Sequence, residues 1–143
     1  MHIDGEQPVR DGLADIMVRQ LTAQRESFGV DPLALEGAEI GEFVRWNILA
    51  LEDELHEALD EVQWKPWSSA LDDGFIDRDA FLKELIDAQH FLNNLYLVAK
   101  ASPEEIRTRY LAKSDVNAQR QTENYDAVST KCEHCGRATD EPE

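Results

Sequence analysis

Apolar residues recur three or four positions apart along most of the chain, which is the spacing of one face of an α-helix. The first segment with this pattern covers residues 11–26, and its apolar positions are Leu13, Ile16, Met17 and Leu21. Gly29 and Pro32 then interrupt the pattern, because both residue types disfavour helix. The sequence therefore predicts a first helix over 11–26, with Asp11 as its N-cap.

Two longer segments continue the helical pattern. Residues 39–62 carry an apolar stripe, and the helix is expected to end before Lys65 and Pro66, because proline disfavours helix in the residue that precedes it. Residues 78–101 carry a wider apolar face. A helix with such a face is expected to lie at the centre of a helical bundle.

A fourth helix is predicted to start at Ser102 and Pro103, since serine caps helices and proline suits the first helical position. Glu105 completes a capping box, and the helix is expected to run to about Asn117 or beyond. No segment alternates in a way that requires a strand. We therefore expect an all-α fold.

This fold is expected to be a bundle of four to five helices over residues 1–126, followed by a flexible polar tail over residues 127–143. A chain of 143 residues is long enough for one domain with its own core. No apolar run approaches the length of a membrane span, and the N-terminus lacks the features of a secretory signal. The two cysteines are too few for a disulfide scaffold, so we expect a reducing, cytoplasmic location and no membrane partner.

The net charge of −16 argues against a nucleic-acid partner, because such proteins need a positive surface to displace counterions from phosphates. Much of this charge is what a solvated surface would carry. Four of the acidic residues have a more specific placement: Glu54 and Glu57 are three positions apart, and so are Glu84 and Asp87. Each pair shares one helix face and has apolar neighbours.

If the two long helices pack antiparallel, these four carboxylates converge at the edge of the core. Converging carboxylates repel one another, and burial adds to the cost unless they take up protons or a cation. Mg²⁺ prefers oxygen ligands and keeps waters that phosphate oxygens can replace. The spacing therefore predicts a magnesium site at Glu54, Glu57, Glu84 and Asp87.

A di-iron centre is the competing metal site. Asp53-x-x-His56 and Asp87-x-x-His90 imitate the carboxylate-x-x-histidine repeat of di-iron bundles, although those bundles use glutamate in the repeat. Both histidines can equally be ordinary, partly buried side chains.

Three further elements follow one another along the chain: ELHEALD at 54–60 followed by WKPW at 64–67, ELIDAQHF at 84–91, and KSDVNAQRQ at 113–121 followed by Tyr125. In this order and spacing they resemble the dimeric, all-α dUTPases and the related MazG-type pyrophosphohydrolases. The resemblance implies hydrolysis of dUTP to dUMP and pyrophosphate, with Mg²⁺ and a dimeric assembly. Two-metal chemistry would need two or more Mg²⁺ ions per site, and the choice between a homodimer and a homotetramer stays open. The resemblance also implies that the four carboxylates hold the metal and that Glu54 orients or deprotonates the attacking water.

The resemblance places the phosphate chain against five residues: Lys65, Lys113, Asn117, Arg120 and Tyr125. The spacing of Lys113, Asn117 and Arg120 supports this independently, because it puts two cations and an amide on one helix face. The base pocket is expected to contain Gln20, Asn47, Trp64, Trp67, His90 and Phe91. An indole ring gives a pyrimidine a flat face to stack on.

Two alternative functions stay open. One is a MazG-like pyrophosphohydrolase with another base specificity, for dCTP or a purine nucleotide. The other is a non-enzymatic, acidic helical interaction protein, whose acids would spread over the surface. In the tail, Cys132 and Cys135 could complete a four-cysteine zinc site across a dimer axis, or could simply be two thiols of a flexible segment.

Overall fold

The computed structural model describes residues 12–122 and 131–134. Four helices form in this part of the chain, and their bounds are α1 (Gly12–Glu26), α2 (Ala38–Asp60), α3 (Arg78–Val98) and α4 (Pro103–Thr122). An isolated antiparallel bridge pairs Val62 with Phe75, and the described residues form no longer strand. The all-α prediction is confirmed. None of the described helices has the length and apolar character needed to cross a bilayer.

Both long helices end earlier than their apolar patterns predict. α2 ends at Asp60 rather than at Val62, because Val62 turns into the bridge with Phe75. α3 ends at Val98 rather than at residue 101, because Lys100 adopts a left-handed backbone conformation with φ of 57°. Tertiary pairing and a local left-handed turn therefore set these ends.

The start of α3 is set by a side-chain cap. The Oδ1 atom of Asp77 accepts hydrogen bonds from the backbone N–H groups of Asp79 at 2.9 Å and Ala80 at 3.0 Å. These groups have no partner within the helix, so the carboxylate satisfies them. The cap fixes where α3 begins, and with it the positions of the acidic residues in its first two turns.

The chain divides into two compact units, one ending at Pro103 and the other beginning at Glu104. In the first unit α3 packs against both α1 and α2, which confirms its predicted central position. α2 and α3 are antiparallel, since Asn47 contacts Asn94 and Glu54 approaches Glu84. The described part of the second unit is α4 with residues 131–134. A boundary after residue 126 lies outside the described residues and stays a prediction.

Side-chain amides occupy much of the interior of the first unit. Six polar or charged side chains are buried: Gln20, Gln24, Asn47, Glu84, Asn93 and Asn94. Meanwhile several large apolar residues of α2 and α3 are exposed, among them Ile48 and Leu55. The apolar pattern predicts the helices correctly but not which of their residues are buried.

Candidate functional site

Three carboxylates meet where α2 and α3 pack together. Glu54, Glu84 and Asp87 each offer an oxygen atom, and these oxygens all lie within 4.8 Å of one another. Glu84 is buried, and the other two are half-buried. We call these three residues the carboxylate group. The antiparallel packing of α2 and α3 thus brings three of the four predicted ligands together.

Glu57 is the fourth predicted ligand, and it stands apart from the carboxylate group. Its side chain is exposed, one helical turn from Glu54 on the same helix. Its charge still reaches the group, because it helps to raise the pKa of Glu54. Its role as a metal ligand therefore stays a prediction.

The negative charge of the carboxylate group is only partly neutralised by a neighbouring lysine. Burial raises the pKa of Glu54 above its ordinary value of 4.5, and the negative charges of Glu57, Asp87 and Glu84 raise it further. Lys83 offsets part of this charge, since its ammonium nitrogen lies 3.1 Å from Glu84 Oε1 and 3.9 Å from Asp87 Oδ2. The pKa of Lys83 is raised in turn, first by its hydrogen bond to Glu84.

These observations test whether a hard divalent cation fits the group. All the donors are carboxylate oxygens, which suit Mg²⁺. Burial and the neighbouring negative charges raise the pKa of Glu54, so an ion of double positive charge would relieve the repulsion among the three carboxylates. The residues present fit the cation.

The loop between α2 and α3 exposes both predicted base-stacking tryptophans. Trp64 is 48% exposed and Trp67 is 78% exposed. The side chain of Gln63 holds this loop, because it donates to the Ser68 carbonyl at 3.0 Å and accepts from the Leu71 N–H at 2.7 Å. Sequence reasoning missed Gln63, whose role depends on contacts five and eight residues away.

Lys65 lies beside the first of these rings. Its ammonium nitrogen is 5.4 Å from the centroid of a Trp64 ring, within the range of a cation–π interaction. The pair therefore combines a flat aromatic surface with a positive charge that could approach a phosphate. Both roles stay predictions.

A chain of side-chain hydrogen bonds links α1, α2 and α3. Gln20 Nε2 donates to Asn94 Oδ1 at 2.7 Å, Asn94 Nδ2 donates to Asn47 Oδ1 at 2.8 Å, and Asn47 Nδ2 donates to the Phe43 carbonyl at 2.8 Å. At the other end, His90 Nδ1 lies 2.6 Å from Gln20 Oε1. We call this series the amide chain. It joins three predicted base-pocket residues, namely Gln20, Asn47 and His90.

The sequence analysis missed Asn94, which stands at the centre of the amide chain. The available signal was a pair of asparagines, Asn93 and Asn94, within the helix that has the wider apolar face. Both are buried, and amides at such positions need hydrogen-bond partners. The partners come from two other helices, so spacing along the chain could not identify them.

A cavity of about 700 Å³ lies between α1 and α3. Gln20 and His90 both line it, whereas Phe91 and Asn47 are not among its lining residues. Asn47 is buried instead within the amide chain. The structure thus brings two of the predicted base-binding residues to one cavity.

The repeat that imitates a di-iron centre is not assembled. Asp53 and His56 line a shallow groove on α2 with Trp46 and Leu49, and neither belongs to the carboxylate group. His90 contacts an amide of α1 rather than a carboxylate. These placements argue against the di-iron alternative.

Apart from Lys65, the predicted phosphate-binding residues belong to the second unit. Lys113 and Asn117 are exposed and Arg120 is half-buried, all on α4. Tyr125 and Cys135 lie outside the described residues, and Cys132 is half-buried. The phosphate-binding and zinc expectations therefore stay predictions.

Comparison with known protein families adds to this geometry. A sequence profile of the dUTPase family matches residues 29–103, just over half of the chain. The matched residues include α2, α3 and the loop between them, and with these the carboxylate group and both tryptophans. No curated protein and no solved structure matches the chain. The match confirms the resemblance drawn from the motifs, and the chain belongs to the family of all-α dUTPases.

Proposed function

We propose that this protein is a Mg²⁺-dependent pyrophosphohydrolase that converts dUTP to dUMP and pyrophosphate. The observation that supports this most directly is the carboxylate group, with oxygens of Glu54, Glu84 and Asp87 within 4.8 Å of one another. Family membership supports a nucleoside triphosphate as the substrate class. The substrate's phosphates and the carboxylates both carry negative charge, so a cation must stand between them.

The carboxylate group and Glu57 would hold two or more Mg²⁺ ions. Bound there, Mg²⁺ would neutralise charge on the phosphates and lower the pKa of a coordinated water. Glu54 orients the attacking water and accepts its proton. Its raised pKa suits this role, because a general base works best with a pKa closer to the working pH.

The remaining site residues are proposed for binding. Trp64 and Trp67 offer exposed rings for stacking, and Gln20 and His90 line the cavity between α1 and α3. The base-pocket set is completed by Asn47 and Phe91. The phosphate-binding set is Lys65, Lys113, Asn117, Arg120 and Tyr125.

A homodimer or homotetramer is proposed as the assembly. The exposed apolar residues on α2 and α3 support it, because a second copy would remove them from water. A cytosolic location and a zinc ion at the two cysteines stay predictions from the sequence.

Pyrophosphate release from each dNTP in the presence of Mg²⁺ tests the function. We expect dUTP to be hydrolysed and Glu84→Gln to lose about 100-fold or more in kcat, the scale seen when a charge-stabilising group is removed. Glu52→Gln is the matched control, since Glu52 is an exposed glutamate of α2 outside the carboxylate group. Equal activity of the two variants would contradict the assignment of the site.

The same assay separates the two alternatives. Activity confined to dCTP or to purine nucleotides would identify a MazG-like enzyme of different base specificity. Absence of activity on every dNTP, together with absence of saturable Mg²⁺ binding by calorimetry, would favour the acidic interaction protein.

A further inference from the structure

The hydrogen bonds of the amide chain all run in the same donor-to-acceptor direction. The amide chain ends at the carbonyl oxygen of Phe43, which can only accept a hydrogen bond. The side chain of Asn47 must therefore turn its NH₂ group to Phe43 and its oxygen to Asn94. This anchor removes the usual ambiguity between the oxygen and nitrogen of an amide.

Each following link is then determined by the one before it. Asn94 must donate to Asn47 through its NH₂ group, so its oxygen faces Gln20. Gln20 must donate to Asn94 in turn, so its own oxygen faces His90 at 2.6 Å. An amide oxygen accepts hydrogen bonds only. The hydrogen on this last link therefore belongs to Nδ1 of His90.

A neutral imidazole carries one hydrogen on its two nitrogens, and here the amide chain assigns this hydrogen to Nδ1. Nε2 of His90 then keeps its lone pair. In the described part of the chain Nε2 makes no hydrogen bond, and His90 lines the cavity between α1 and α3. We infer that Asn94 is a positioning residue that makes the neutral His90 ring offer a hydrogen-bond acceptor to this cavity.

The consequence for substrate choice rests on the proposed function. N3 of uracil carries a hydrogen and can donate to Nε2, whereas N3 of cytosine carries a lone pair and cannot. A site built around a hydrogen bond rejects an analogue that fails to make it. Asn94 thus acts through Gln20 and His90 to favour uracil over cytosine, although it is buried at 5% exposure and lines no described cavity.

Imidazole nitrogen shifts measure the tautomer without any need for activity. We would record long-range ¹H–¹⁵N correlations of the full-length protein at about pH 8.5, where an ordinary histidine is neutral. His90→Gln identifies the His90 signals among those of the four histidines. In the wild type we expect the Nδ1–H form to exceed the Nε2–H form by about tenfold, the effect of one buried hydrogen bond.

Two substitutions of Asn94 separate positioning from mere support of the fold. Asn94→Leu removes the acceptor for Gln20, so His90 should lose the tenfold bias and show both tautomers. Asn94→Asp keeps an acceptor oxygen, so the bias should be retained. Asn93→Asp is the control for a buried charge on the same helix and should also retain it. A wild-type ring with its hydrogen on Nε2, or an unchanged ring in Asn94→Leu, would overturn the inference.

Substrate preference is measured as the ratio of kcat/KM for dUTP to kcat/KM for dCTP. In Asn94→Leu the preference for dUTP should fall by about tenfold, with Asn94→Asp restoring most of it. If the wild type hydrolyses no dNTP, the proposed function fails while the tautomer measurement still decides the role of Asn94. If the wild type prefers dUTP and Asn94→Leu keeps that preference, the positioning role fails while the proposed function stands.

Discussion

Lys83 partly neutralises the carboxylate group when no ion is bound there. Its ammonium group hydrogen-bonds to Glu84 and lies close to Asp87, so it competes with a metal ion for the same negative charge. Because Lys83 is 71% exposed, water screens much of this interaction. The effect on metal binding should therefore be moderate.

Replacing Lys83 should strengthen Mg²⁺ binding. Removing this solvent-screened positive charge should lower the Mg²⁺ dissociation constant of Lys83→Gln by roughly fivefold. Calorimetric titration measures this, and Lys83→Arg serves as the control that keeps the charge. Weaker binding by Lys83→Gln would show that Lys83 supports the ion instead of competing with it.

Glu54 predicts a dependence of stability on pH. Its pKa in the folded protein lies above the ordinary value of 4.5, so the folded state binds this proton more tightly than the unfolded state does. Its contribution to stability is therefore full below the unfolded pKa and is lost as pH rises through the folded pKa. At neutral pH the ionised carboxylate opposes folding of the metal-free protein.

Glu54→Gln should consequently raise the melting temperature of the metal-free protein at pH 7 by a few degrees, and the gain should disappear below about pH 4. Added Mg²⁺ should stabilise the wild type more than this variant. Melting curves in chelator and in Mg²⁺ provide the measurement, with Glu52→Gln as the control. A gain that persists unchanged into acid would show that ionisation of Glu54 is not its cause.

Spacing along the chain could identify the carboxylates but not the amides. Glu84 and Asp87 are three residues apart on an apolar helix, so their shared face is visible in the sequence. Asn94 is different, because its partners Gln20 and Asn47 come from two other helices. Its role depends on packing between helices, which no pattern within one helix encodes.

The sequence predicted the existence of helices α2 and α3 but placed their C-terminal ends too late, and both results have the same physical cause. Apolar periodicity reflects burial of one helix face, so it located α2 and α3. It carries no information about what stops a helix. The ends depend on the pairing of Val62 with Phe75 and on the left-handed turn at Lys100.

The cap of α3 allows a test at the scale of an element. Asp77→Ala removes the acceptor of two backbone hydrogen bonds and should cost about 1 kcal/mol of unfolding free energy. Asp77→Ser keeps a capping oxygen and should recover most of that loss. Denaturant unfolding measures both. Asp79→Ala, on an exposed side chain beside the cap, is the control, and a loss as large as that of Asp77→Ala would argue against capping as the cause.

In the first unit, α2 leaves a stripe of apolar side chains exposed to water. The stripe consists of Ile48, Leu55 and Leu59, which recur seven and four positions apart, and Leu92 is exposed on the neighbouring helix α3. Helical geometry places the three residues of the stripe on one face of α2. A sequence pattern shows that these residues are apolar, but one copy of the chain does not show what covers them.

We expect a second copy of the chain to cover this stripe, and Ile48 and Leu49 offer a matched test of this assembly. Both are exposed residues of α2, at 41% and 51%, but Leu49 lies about 100° around the helix, beside Trp46. Ile48→Lys would bury a charge in the interface of each copy, so the dimer dissociation constant should rise by about 30-fold or more, the effect of losing roughly 2 kcal/mol at a hot spot. Leu49→Lys should leave it nearly unchanged. Sedimentation equilibrium over a range of concentrations measures both, and a monomeric wild type or equal effects of the two lysines would contradict an interface on this face.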